Sequence, residues 1–155
     1  LITLEKVSTA NFVIDVEEPG FDLLKEDILA WGRSCGIKVY IYFLDFRKIG
    51  KQELLLTSIQ TTILKKDLNW LGFPSHEKMA GLSSEKTDMF VSLVDSDCPA
   101  IDYLTKCTDA RFKIGRREYE GHAFDMIISG AQTEDLRSDS RLIFKAMLEF
   151  ISKIK

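Results

Sequence analysis

The sequence predicts an α/β protein: a three-layer α/β/α sandwich on a mostly parallel sheet of five to six strands, Rossmann-like or flavodoxin-like. Three observations predict it. Residues 11–44 read as strand, helix, strand within about 35 residues, the spacing of a right-handed parallel crossover. Met89 to Val94 (MFVSLV) is apolar almost throughout, which suits a central strand covered on both faces. Strand-like and helix-like segments then alternate along the chain, which implies helices on both sides of one sheet.

Asn11 to Val16 (NFVIDV) is a short apolar run that ends in acids and predicts strand one. Pro19-Gly20 opens a helix. Phe21, Leu24, Ile28 and Trp31 recur at helical spacing, with Cys35 one turn further and Gly36 suited to a left-handed stop. Ile37 to Leu44 (IKVYIYFL) is β-branched and aromatic, and predicts strand two. Arg47-Lys48-Ile49-Gly50-Lys51 is a basic turn. Leu54 to Leu64 is ambiguous, with Ser58 to Leu64 the better strand because of Ile59, Thr61, Thr62 and Ile63. Residues 65–88 read as a long irregular segment; so long a loop is functional, mobile or a missed element.

Pro99 suits the first position of the next helix, with Cys98 at its cap and Ile101, Leu104 and Cys107 pointing inward. Ala110 to Ile114 and Phe124 to Ile128 predict two short strands. Ser138-Asp139-Ser140 offers caps for the last helix. Its inward stripe is Ile143, Met147, Phe150 or Ile151, and Ile154, with Lys145, Glu149 and Lys153 outside. Lys153 and Lys155 suit its negative end. Residues 1–155 thus read as one α/β domain, with residues 1–10 taken as the end of a preceding segment because the chain opens on Leu1.

Composition narrows the function classes. The chain has 155 residues, 45% hydrophobic and 29% charged, enough for a full core. Its net charge of −3 gives no field that would favour nucleic acid or an anionic membrane. No apolar run approaches the ~20 residues of a membrane span, and no segment reads as a signal peptide. Cys35, Cys98 and Cys107 are an odd set without Cys-x-x-Cys, as expected of reduced thiols in a cytoplasm. His76 and His122 belong to no ligand-spaced cluster, so no metal is expected.

In open parallel sheets ligands bind outside the carboxyl ends of the strands. That rule places a site among Asp15 to Pro19, Asp45 to Gly50, Lys65 to Gly72, Asp95 to Cys98 and Gly115 to Arg117. The first of these turns carries Asp15, Glu17 and Glu18 where a dinucleotide site needs glycines, and the carboxylates repel pyrophosphate. No P-loop exists and no cofactor is expected. The carboxylates read as solvated acids, with a metal held by Asp15 and Glu17 the weaker alternative.

Lys65-Lys66-Asp67-Leu68-Asn69-Trp70-Leu71-Gly72 combines charge, amide and indole. Asp67 and Asn69 suit a turn, and Leu68 and Trp70 either pin the loop to the core or face a ligand. In the second case Trp70 stacks and Lys66 attracts an anion. Cys98 sits between a helix start, which lowers a thiol pKa, and two aspartates, which raise it; packing is the favoured role. Cys35 and Cys107 read as small buried hydrophobes. Arg116 or Arg117 suits a bidentate anion, or more simply an ion pair to Asp95 or Asp97 on the neighbouring strand end.

Four stretches carry a resemblance: Lys66 to Gly72 with Pro74, Asp88 to Leu93, Ala110 to Arg116, and Phe124 to Ile128. In this order, across residues 11–155, the chain resembles a family of uncharacterised proteins from Bacteroidetes, a domain of unknown function. That resemblance supports the fold and implies no activity. Asp88 to Arg116 is also similar to the strand–helix–strand of the N-terminal half of heptosyltransferase-type glycosyltransferases, whose reaction needs a second nucleotide-sugar domain.

No catalytic constellation is recognisable. The leading expectation is therefore a small cytoplasmic ligand-binding or interaction protein whose partner is a small anionic ligand, with neither nucleic acid nor membrane involved. Lys66, Asp67, Asn69, Trp70, Asp95 and Arg116 are its ligand-binding candidates. The alternative is an enzyme or enzyme subunit of the glycosyl- or phosphoryl-transfer kind, which needs Lys66, Asp95 and Arg116 in one cleft. A third reading is a homo-oligomer joined through Tyr40, Tyr42 and Trp70.

Overall fold

The computed structural model describes residues 4–48, 55–82, 85–128 and 139–153. Six parallel strands form one sheet: β1 (Thr9–Asp15), β2 (Lys38–Asp45), β3 (Thr62–Leu64), β4 (Thr87–Ser92), β5 (Ala110–Gly115) and β6 (Met126–Ile127), in spatial order 3-2-1-4-5-6. This is the Rossmann order, not the flavodoxin one, and the chain reverses direction between β1 and β4. Helices α1 (Phe21–Cys35), α2 (His76–Leu82), α3 (Pro99–Cys107) and α4 (Ser140–Ser152) complete the sandwich among the described residues.

Each sheet face closes its own core. Phe12, Ile14, Met89 and Val91 pack against Leu24 and Ile28 of α1 and Ile143, Phe144 and Met147 of α4. Val13, Leu44, Ile63 and Phe90 face Met79 and Leu82 of α2 and Ile101 and Leu104 of α3. Alternate β1 and β4 residues thus serve opposite cores, which explains the unbroken apolar run in β4. Phe12, Trp31 and Phe144 meet edge to face at 5.8–6.1 Å, joining β1, α1 and α4. Arg141 of α4 reinforces that contact through Asp27 of α1, with Nε 2.7 Å from Oδ2.

Most expected elements are present with ends shifted by one or two residues. Gly36 does end α1 in the left-handed region, at φ +68°, where a side chain is strained. Pro99 opens α3 with Cys98 at the cap position, although the thiol makes no cap bond. Asp139 is the cap of α4 and accepts from the Arg141 and Leu142 amides. Ile151, not Phe150, completes its buried stripe.

Four expectations are corrected. The segment after residue 73 contains α2, a helix whose buried signal is only Met79 and Leu82, too short for periodicity to register. Its start was marked by Ser75, whose hydroxyl accepts from the Lys78 amide. The third strand is only Thr62–Leu64, because Ile59–Thr61 winds into a 3-10 turn with the Ser58 carbonyl accepting from the Thr61 amide. The last strand keeps only Met126–Ile127 of Phe124 to Ile128. Cys35 and Cys107 are exposed, since each is the last residue of its helix, beyond the buried stripe. Ile49 to Leu54, Ser138, Ile154 and Lys155 lie outside the described residues.

Candidate functional site

All described strands are parallel, so their carboxyl ends share one edge, and the described parts of the expected site segments lie along it. At its centre, between β1 and β4, the crevice is filled by this chain's own side chains. Arg116, just beyond β5, has a side chain only 2% exposed. Its Nη1 donates to Glu18 Oε1 at 3.2 Å, to the Leu93 carbonyl at 3.3 Å and to Ser140 Oγ at 2.7 Å. Its Nη2 lies 3.8 Å from Asp95 Oδ2. The Ser140 hydroxyl in turn donates to Glu18 Oε2. The expected partnership of Arg116 with Asp95 is therefore present, but the closer carboxylate is Glu18.

Burial dominates the electrostatics here. It pushes Glu18 up to about 7 from its ordinary 4.5, against the pull of Arg116 and helped by Asp15 and Asp95. Burial also raises Asp15, which is half-buried and holds the Glu17 amide; it is not the solvated acid expected. The sign of the pH effect follows. Between about 4.5 and 7 the folded protein holds a proton on Glu18 that the unfolded chain has released. That stability is full at the acid end and is lost as pH rises through about 7. Asp45 and Asp88 are held low and act only in more acidic solution. Urea midpoints of the wild type are expected to fall from about pH 5 to about pH 8, and Glu18→Gln is expected to flatten that slope. A parallel slope in both proteins would show that Glu18 is not its source.

The Lys65–Gly72 loop is built by its own polar residues. Asp67 accepts from the Leu64 amide at 2.8 Å and lies 3.4 Å from Lys78 Nζ. Asn69 Oδ1 accepts from the amides of Leu71 (2.9 Å) and Phe73 (3.1 Å). Gly72 closes the turn at φ +87°, and Leu68 bridges Pro74 while packing on the second core. Phe73 meets Tyr103 of α3 with ring centres 5.3 Å apart and planes tilted by 46°, which holds the loop against that helix. Trp70 pins nothing: it is 91% exposed.

Lys66 opens on a different space. A cleft of about 550 Å³ lies between the ends of β2 and β3, floored by Leu55 and Leu64. Arg47, Lys48, Lys65 and Lys66 surround it, with Asp45 the carboxylate among its walls. Asp45 grips the Arg47 fork with two bonds of 2.8 Å, which holds its carboxyl below the usual range and fixes the guanidinium at the rim. The walls of this cleft include neither Asp95 nor Arg116. Among the candidates, then, Asp95 and Arg116 meet, Asp67 and Asn69 shape a loop, Lys66 faces the cleft, and Trp70 faces solvent. Cys98 is buried in the second core and its thiol is raised by burial. Among the described residues, no group of three or more His, Cys, Asp or Glu side chains is placed to hold a metal ion.

Sequence reasoning missed Glu18 and Ser140 as partners of Arg116. They lie 98 and 24 residues from it, and neither neighbourhood marks the residue as buried.

Strand order and site together define the class: a doubly wound α/β protein whose central crevice is closed by an arginine–carboxylate network and whose open cleft is basic. The chain belongs to a family of unknown function (DUF6913), whose model matches residues 3–145. No curated protein and no solved structure matches the chain. Nothing in the site or in these comparisons supports the transfer-enzyme reading. Among the described residues no helix is long and apolar enough to cross a membrane.

Proposed function

We propose that the chain is a small cytoplasmic binding protein that takes an anionic ligand at the carboxyl edge of its sheet, without catalysis of its own. The observation that carries this reading is the cleft between β2 and β3, where, among the described residues, four cationic side chains ring an apolar floor against one carboxylate. Its volume falls within the ~300–1,000 Å³ of ordinary small-molecule sites. Asp45 already holds Arg47, so Lys48, Lys65 and Lys66 are left to attract charge, while Leu55 and Leu64 accept an apolar body. Free Cys35, Cys98 and Cys107 accord with a reducing compartment.

Screening anionic metabolites and nucleotides by thermal shift tests the proposal. A true ligand at about 100 times its Kd is expected to add ~2.7 kcal/mol. The Lys65→Gln/Lys66→Gln variant is expected to lose most of that gain while melting near the wild type, because both side chains are exposed. An undiminished shift in the variant would remove the cleft from the argument, and turnover of any screened compound would overturn the non-catalytic part.

An interaction role rests on a separate observation. Trp70, at 91% exposure, and Leu71 stand together on a turn braced by Asn69, a presentation that suits contact with a second copy or another protein. Sedimentation across a wide concentration range tests it; a monomer throughout counts against self-association.

A further inference from the structure

A second cavity lies away from the carboxyl edge, on the sheet face that α2 covers only in part. Helix α2 has seven residues and spans about 10 Å, whereas the eight residues of β2 run about 26 Å. The carboxyl half of that face is sealed by Met79 and Leu82 over Leu44 and Phe90. The amino half stays open as a groove of about 420 Å³.

Asn11 lines this groove from β1, the strand between β2 and β4, opposite Tyr40 in the β1–β2 register. It is 6% exposed, its side-chain amide makes no hydrogen bond to the described residues, and its polar atoms are not sealed off but open into the groove. Asparagine is a poor strand residue, and here its amide is turned to the groove rather than bonded to the fold. The fold gains nothing from it at a position where valine or isoleucine would pack. Such local conflict marks functional positions.

The remaining walls say what would satisfy it. Tyr40 and Tyr42 stand in line on β2, both half-buried, offering flat rings and hydroxyl groups. Lys38 Nζ sits 5.3 Å from the Tyr40 ring centre. Lys86 and Glu85 complete the rim, so its net charge is about one positive unit.

We infer that this groove is a second binding site, for a planar heterocycle of the nucleobase kind that presents a lactam edge to Asn11. A lactam places an N–H donor beside a C=O acceptor. The asparagine amide answers both at once, its oxygen accepting and its nitrogen donating. The ring lies against the tyrosines, and the rim tolerates a neutral or singly anionic substituent.

Uridine and inosine are the probes, with p-cresol as a flat molecule that lacks the edge. In a titration of the nitrogen-15-labelled protein, both nucleosides are expected to move the Asn11 side-chain amide resonances. In Asn11→Leu their affinity is expected to drop at least about tenfold while that of p-cresol is kept. That variant is also expected to melt near the wild type, since the amide bonds to no described residue. The Lys65→Gln/Lys66→Gln variant is expected to bind both nucleosides normally, which keeps this site separate from the anion cleft. Absence of any shift at millimolar nucleoside, or equal affinity in Asn11→Leu, would overturn the inference.

Discussion

Replacing Arg116 with methionine is expected to cost about 3–5 kcal/mol of folding stability, because it strands Glu18 in a space built for an ion pair. Methionine matches much of the arginine stem, so the loss does not come from an empty cavity. It comes from the bonds that Nη1 makes to Glu18, Leu93 and Ser140, which join the β1–α1 turn, the end of β4 and the start of α4. For a chain of this length each kcal/mol moves the melting point by ~2–4 °C, so a fall of roughly 10 °C is the expected reading. The fall should be larger at pH 8 than at pH 6, since Glu18, at about 7, holds its proton in acid and needs the guanidinium only once ionised. Adding Glu18→Gln to Arg116→Met should restore part of the loss, because no buried charge is then left alone. Urea unfolding of the four proteins forms the double-mutant cycle; additive effects would refute the coupling.

Phe12→Ala is expected to cost a similar ~3–5 kcal/mol, by a different route. Phe12 is 1% exposed in the β1 strand and meets the rings of Trp31 and Phe144 at 5.8 Å each. Truncation removes two edge-to-face contacts and opens a void between sheet, α1 and α4. Unlike the Arg116 effect, this loss should depend little on pH, because the side chains that lose contact are apolar and aromatic. Phe12→Leu should cost less than half as much, since most of the volume is kept. A loss below about 1 kcal/mol for Phe12→Ala would show that the helices collapse onto the sheet without it.

Local pattern was enough for the layered architecture because each long element carries its own record of burial. The apolar run of Met89 to Val94, the helical spacing of Leu24 and Ile28, and Gly36 at a left-handed stop are all read without knowing any neighbour. Asp67 and Asn69 were legible as turn residues for the same reason: their bonds reach backbone amides within four residues. The short elements were not legible. Two buried apolar residues in α2 and two in β3 cannot establish a period, and the surrounding lysines and serines outvote them.

The site divides along the same line. Residue type and a rule about strand ends led to the edge on which Lys66, Asp95 and Arg116 lie. They led to the turn that holds Glu18 but read it as a solvated acid, and they did not lead to Asn11. Glu18 sits among acids that look solvated, and it becomes a buried partner only because α4 carries Ser140 and β5 carries Arg116 to the same point. Asn11 looks like the first residue of a strand. Only the tertiary structure shows it lining a groove beside the end of α2.

By itself, the sequence determined the parallel α/β sandwich and the acidic first turn, since these depend on side chains a few positions apart. The tertiary structure alone decided the strand order, the sealing of the central crevice by Arg116, and the openings left beside β3 and under α2. Those depend on which distant segments meet, and meeting is set by the packing of whole layers, which no local pattern encodes.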